Sequence, residues 1–149
     1  MKKCSELVLD NSIAARWLLQ DGATKDRLYA RKVLDFMEKG VKVLVPPVFN
    51  LEIANVIARA EHLGQLQESA STQFLEILEG LGMEIDVGCQ SKTLSTTLNL
   101  ARRYRLSSYD ASYLELTLRR GAILASLDKD LIQALKASGG ELFNPKVLE

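Results

Sequence analysis

Short apolar runs alternate along this 149-residue chain with longer stretches whose apolar residues recur every three or four positions. That alternation marks strand–helix units, and hence an α/β fold built on a parallel sheet. Leu7-Val8-Leu9 reads as the first strand and the segment from about Ser12 to Leu19 as a helix. A second helix, near Lys25 to Lys39, stops at Gly40, the residue type that most readily closes a helix in a left-handed turn. The β-branched run Val41 to Val45, closed by Pro46-Pro47, predicts strand two. Helices follow over Val48 to His62, ended by Gly64, and over Gln65 to Leu81, then a third strand at Met83 to Val87. The rest reads as helices near Ser91 to Tyr104 and Ser108 to Arg119, a strand at Ala122 to Ala125, a helix near Lys129 to Ala137 and a last short strand at Glu141 to Phe143. No repeat, linker or low-complexity tract interrupts the pattern, so residues 1–149 are expected to form a single domain.

Composition narrows this picture. A hydrophobic fraction of 47% with 26% charged residues belongs to a globular chain and excludes a disordered one. Apolar stretches are broken by charge well short of the ~20 residues a membrane span needs, and the N-terminus lacks the apolar core of a signal peptide. Cys4 and Cys89 are far apart and outside any C-x-x-C or Cys/His pattern, which argues against a zinc site or disulfide scaffold and leaves them as buried or incidental thiols. The single histidine, His62, removes histidine-rich metal sites. A cytoplasmic, reducing setting is expected. With 19 basic and 19 acidic residues the net charge is zero, so the chain lacks the basic excess of most nucleic-acid binders. Any such role must rest on local clusters such as Arg102, Arg103 and Arg105, or Arg119 and Arg120, which on their own read first as solvated helix ends, since cations favour helix C-termini.

Four acids carry the candidate chemistry. Asp10, Asp110 and Asp128 sit where an apolar run meets a helix start, and in a parallel sheet such points converge on the carboxyl edge, where ligands bind. Carboxylates crowded there repel one another unless a cation neutralises them. Each also has a structural explanation: Asp10 and Asp128 suit helix N-caps, Asp130 suits a first helical turn, and Asp110 follows Ser107 at capping-box spacing. Glu52 is different, because Leu51, Ile53, Ala54, Val56, Ile57 and Ala58 surround it on a helix expected to be buried on more than one side. Glu52, Asn55, Arg59 and His62 share its narrow polar line, either a solvent-facing stripe or a carboxylate aimed into a cleft with Asn55 one turn along.

Four segments, Val8-Leu9-Asp10-Asn11-Ser12, Val45-Pro46-Pro47 with Leu51-Glu52-Ile53-Ala54-Asn55, Leu106-Ser107-Ser108-Tyr109-Asp110-Ala111, and Ile123-Leu124-Ala125-Ser126-Leu127-Asp128-Lys129-Asp130, resemble in order and spacing those of PIN-domain nucleases, and more closely VapC-type toxins of toxin–antitoxin pairs. The resemblance implies a three-layer α/β/α domain with a central, mostly parallel sheet. It implies that Asp10, Glu52, Asp110 and Asp128 surround one or two Mg²⁺ or Mn²⁺ ions, with Ser12 and Ser126 orienting water, Asn55 as a polar companion and Asp130 as a supplementary acid able to share the role of Asp128. It further implies metal-dependent hydrolysis of RNA to a 5′-phosphate and a 3′-hydroxyl, a homodimer, and an antitoxin that lays a cation over the acids. The oxygen-donor set independently suits Mg²⁺, commonly held by one or two carboxylates and several waters.

Other classes fit less well. An aspartyl-nucleophile phosphatase wants a second acid two residues after Asp10, where Ser12 stands, and a receiver-like domain wants paired acids and a late lysine. A free-standing RNA-processing nuclease and a non-catalytic RNA-binding or assembly module stay open. Assembly is also suggested by Phe74, Leu75, Ile77 and Leu78 beside Leu66 and Leu81, more apolar surface than a thin three-layer domain readily hides.

Overall fold

A computed structural model of the chain describes residues 5–148. Five strands form one sheet: β1 (Leu7–Leu9), β2 (Val43–Val45), β3 (Glu84–Ile85), β4 (Ile123–Ala125) and β5 (Glu141–Leu142). They lie in the order β3-β2-β1-β4-β5, and all four pairings are parallel. The helices are α1 (Asn11–Leu19), α2 (Thr24–Glu38), α3 (Val48–His62), α4 (Glu68–Gly80), α5 (Gln90–Tyr104), α6 (Ser108–Arg120) and α7 (Lys129–Ala137), with a 3₁₀ turn at Pro145–Leu148.

The chain winds outward twice from the centre. From β1 it steps to β2 and β3 through α1–α4; it then crosses to β4 and β5 through α5–α7. Helix α1 packs on α2 and α3, whereas α5 packs on α6 and α6 on α7. With right-handed crossovers this puts α1–α4 on one face of the sheet and α5–α7 on the other, a three-layer α/β/α arrangement. Both faces being covered, the central strands are buried on both sides: Leu7, Val8 and Leu9 are fully inaccessible, with Leu124 and Ala125 beside them. The winding reverses between β1 and β4, and the crevice at their carboxyl ends is the expected ligand position of such a sheet.

Side-chain ties outside the core fix the helix positions. Trp17 donates from Nε1 to the Ala30 carbonyl at 2.8 Å, joining α1 to α2, and the Tyr29 hydroxyl donates to the Phe143 carbonyl at 2.9 Å, joining α2 to the end of β5. Among the described residues no helix is long and apolar enough to cross a membrane.

The elements follow the expected pattern, with three differences. Helix α4 begins at Glu68 rather than Gln65, because Gly64 (φ +70°) turns the chain and Gln67 is extended before the helix. Strands β3 and β5 shrink to two residues each, as edge strands paired on one side only. Helix α3 is not buried on several sides. Its covered line is Phe49, Ile53, Ile57 and Ala60, while Leu51 is 73% exposed and Ala54 and Ala58 face outward. Apolar composition on this helix reflects an apolar outer surface, not an all-round core. Similarly, Phe74 and Leu78 of α4 are buried on the core, while Leu75 and Ile77 are exposed. Cys89 is exposed, so of the two thiols it is not a core residue; Cys4 lies outside the described residues.

Candidate metal centre

Asp10 ends β1 at the point where the winding reverses. Its backbone is extended (φ −76°, ψ 147°), as an N-cap requires, yet its side chain caps nothing. Instead Oδ2 accepts hydrogen bonds from Ser12 Oγ at 2.6 Å and Ser126 Oγ at 2.7 Å, and only 2% of the residue is exposed. The two serines are themselves held: Ser12 Oγ accepts from the Leu127 amide and Ser126 Oγ from the Asp128 amide, both at 3.0 Å. The end of β1 and the turn after β4 are thus stitched through one carboxylate. Burial pushes the Asp10 carboxyl up to about 6; the serine hydroxyls oppose that rise, and the charges of Glu52 and Asp128 add to it.

The other three acids lie near enough for their charges to act on one another and on Asp10. Asp110 lies in the first turn of α6, where its amide donates to the capping Ser107 Oγ at 3.1 Å, half of the expected capping box. Burial first, then the charges of Asp128 and Asp10, push its carboxyl up to about 6. Asp128 does cap: it precedes α7, and its Oδ1 accepts from the Leu131 amide at 2.9 Å, leaving Oδ2 uncommitted in that bond. Glu52, in the first turns of α3, is half-buried, and burial together with Asp110 raises its carboxyl above the usual range. Asp130 is exposed one turn along, close enough to contribute to the rise at Asp110, and Asn55 is exposed on α3.

Two residues that sequence reasoning did not single out complete the surroundings. The Tyr113 hydroxyl, on a fully buried ring of α6, donates to Glu52 Oε1 at 2.7 Å and bridges α6 to α3. Burial and the neighbouring Asp10 charge push its own titration far up, so it is a fixed donor. Asn11 also stabilises the charged form of Glu52. Tyr113 lies three residues after Asp110, one turn along the same helix, but in sequence it is indistinguishable from a core aromatic.

Among the described residues the four acids carry no basic partner. Elsewhere the fold pairs its partly buried acids: Glu115 and Asp86 with Arg119, Glu6 with Arg120. Among the described residues no Lys, Arg or His pairs with Asp10, Glu52, Asp110 or Asp128. Nor do any three Asp, Glu, His or Cys side chains among them stand close enough to ligate one ion jointly as placed. Mg²⁺ needs no such cage: it keeps several waters and takes one or two carboxylates directly. A hard-oxygen set of carboxylates and serine hydroxyls, without imidazole or thiolate, is the donor chemistry that suits a hard divalent cation.

No curated protein sequence matches the chain. Among solved structures it is similar to PAE2754 from Pyrobaculum aerophilum, with a TM-score of 0.69 at 17% identity over 99% of this chain and 95% of that one. It is also similar to FitAcB from Neisseria gonorrhoeae, with a TM-score of 0.59 at 14% identity over 94% of this chain and 98% of that one. At these identities the likeness is one of fold. The PIN domain family, whose members are generally nucleases and typically use a divalent metal, matches residues 7–136. Spanning the sheet from β1 to α7 and including every acid of the crevice, that match establishes that the chain belongs to the PIN-domain family.

Proposed function

We propose that this chain is a divalent-metal-dependent endoribonuclease of the VapC type, the toxin of a toxin–antitoxin pair, in which Asp10, Glu52, Asp110 and Asp128 hold Mg²⁺, with Mn²⁺ able to substitute. The observation that carries the reading is Asp10: a carboxylate buried to 2% exposure, bonded to two serines, with neither a cation nor a capping duty to explain it. Burying a carboxylate without a counter-charge costs free energy. A bound cation removes that cost.

A divalent ion supplies an acidified water and offsets charge developing on the phosphodiester. The chain's own part is placement. Ser12 and Ser126 both donate to Oδ2 of Asp10, which leaves the other oxygen to a cation. Tyr113 holds Glu52 Oε1 in the same way. Asp128 spends one oxygen on its cap, so it contributes through the other, and Asp130, exposed beyond it, is the supplementary acid. Asn55, one turn past Glu52, is a polar companion on the substrate side. No protein nucleophile is required.

The exposed apolar face is assigned to assembly. A groove of about 570 Å³ runs between α3, α4 and the β3 edge, with Ala54, Ala58, Leu75 and Ile85 among its lining. A homodimer buries such a face, and an antitoxin placing Arg or Lys near Asp10 and Asp110 silences the site. Cleavage of single-stranded RNA by the purified chain, with Mg²⁺, with Mn²⁺ and with EDTA, tests the activity. Metal-dependent cleavage that is lost in Asp10→Asn is expected; equal cleavage in EDTA, or by the variant, overturns it.

A further inference from the structure

The fold treats the two arginine clusters of the sequence differently. Arg119 and Arg120 are consumed in ion pairs with Glu115, Asp86 and Glu6. Arg102, Arg103 and Arg105 are exposed and, among the described residues, pair with no carboxylate. The Arg103 guanidinium lies 5.6 Å from the centre of the Tyr104 ring. Arg105 closes α5 at φ +54°, a left-handed conformation that helix ends usually give to glycine because a side chain crowds the backbone.

Beside this junction lies a polar depression of about 340 Å³, lined by Tyr104, Arg105, Asp130 and Gln133 with Ala134 and Ala137. Asp130 links it to the acid crevice, since its charge reaches Asp110. On the other side of the junction, Tyr109 is 58% exposed and adjoins Asp110 in the chain. The helix dipole accounts for arginines near the end of α5. It does not account for the left-handed conformation of Arg105, shared among non-glycine residues only with Gln20 at the end of α1, nor for an exposed tyrosine next to a half-buried acid.

We infer that the α5–α6 junction is a binding site for single-stranded RNA, receiving the nucleotides that flank the phosphate held at the acids. The inference rests on the ribonuclease reading above. Arg105 meets a backbone phosphate in the depression, and the exposed Tyr109 offers a face on which an unpaired base stacks. The chain has no net charge and a carboxylate cluster at its centre, so a polyanion needs cations at close range to approach at all. Stacking demands bases free of a duplex, which sets the substrate class as single-stranded loops or ends.

Arg105→Gly separates function from folding, because glycine suits the left-handed position: its melting temperature in EDTA should equal or exceed that of the parent. With a fluorescent single-stranded oligoribonucleotide and Mn²⁺, Tyr109→Ala should lower kcat/KM roughly 5- to 100-fold, mostly through KM. Arg105→Gly should reduce the slope of log kcat/KM against log salt by about 0.7. Mn²⁺ affinity, read by calorimetry, should match the parent in both. If the parent cleaves and both variants keep its KM and salt slope, the junction is a solvated helix end and the inference falls alone. A perfect duplex of the same sequence that is cleaved as well as the single strand overturns the substrate class. A parent that binds Mn²⁺ but neither cleaves nor binds RNA overturns the ribonuclease reading and this inference together.

Discussion

Replacing Asp10 by asparagine keeps the shape of the side chain and removes its charge, so the metal-free and metal-bound proteins should respond in opposite directions. In the folded chain the Asp10 carboxyl titrates at about 6 against an ordinary value of 3.8, chiefly because it is buried. That difference corresponds to roughly 3 kcal/mol by which the ionised form disfavours folding at pH 8. Asparagine stands in for the neutral acid, and its Oδ1, placed where Oδ2 of Asp10 lies, can still accept from both serines. Asp10→Asn in EDTA should therefore be more stable than the parent by about 1–3 kcal/mol, roughly 2–10 °C in Tm for a chain of this size. Addition of Mg²⁺ should raise the parent's Tm progressively, as for any ligand selective for the native state, and the variant's much less. Thermal melts at pH 8 across a Mg²⁺ titration measure both quantities. A variant that melts at or below the parent in EDTA would show that Asp10 is a structural residue, and equal Mg²⁺ stabilisation of the two would remove it from the ligand set.

Three further outcomes follow from the same geometry. Because Asp10 keeps its proton to higher pH in the folded chain than in the unfolded one, its contribution to metal-free stability is complete below pH 4 and is lost as pH rises through about 6; Asp110 acts in the same direction with a smaller effect, being half exposed to solvent. Denaturant midpoints in EDTA should fall between about pH 4 and pH 6.5 and level off above, and a flat profile across that window would contradict the burial of an uncompensated charge. Asp128→Ala removes the cap of α7, whereas Asp128→Asn keeps an acceptor for the Leu131 amide. The alanine variant should be the less stable of the two by about 0.5–2 kcal/mol in urea unfolding, and equal stabilities would mean that the cap contributes nothing. Light scattering at micromolar concentration should report a dimer, and Leu51→Asp or Ile85→Lys on the exposed apolar face should yield a folded monomer; a monomeric parent refutes the assembly.

The order and kind of the elements were legible in the sequence because they depend on local pattern. A buried parallel strand must be apolar throughout and a helix must repeat its apolar face, and Leu7–Leu9, Ile123–Ala125 and the seven helices of the described residues obey those periods. The positions of Asp10 and Asp128 were legible for the same reason: an acid at a strand-to-helix boundary is brought to the carboxyl edge by the topology whatever its purpose, whereas Asp110 follows a helix–helix junction and reaches the other acids only through the packing of α6.

Tertiary structure alone decided what each acid does with its oxygens. Asp10 and Asp128 occupy the same local context, an N-cap after an apolar run, yet only Asp128 caps; the Asp10 carboxylate is held instead by Ser12 nearby and by Ser126, a partner 116 residues later in the chain. Tyr113 reaches Glu52 across 61 residues, a pairing no local pattern announces. The apolar residues of α3 illustrate the opposite limit: composition could say that the helix was apolar, but only the placement of α4 and the sheet determined that Leu51, Ala54 and Ala58 would face outward. Local spacing specifies which residues share a face. Which faces are covered, and which polar atoms find a partner, depends on the neighbours that long-range packing brings.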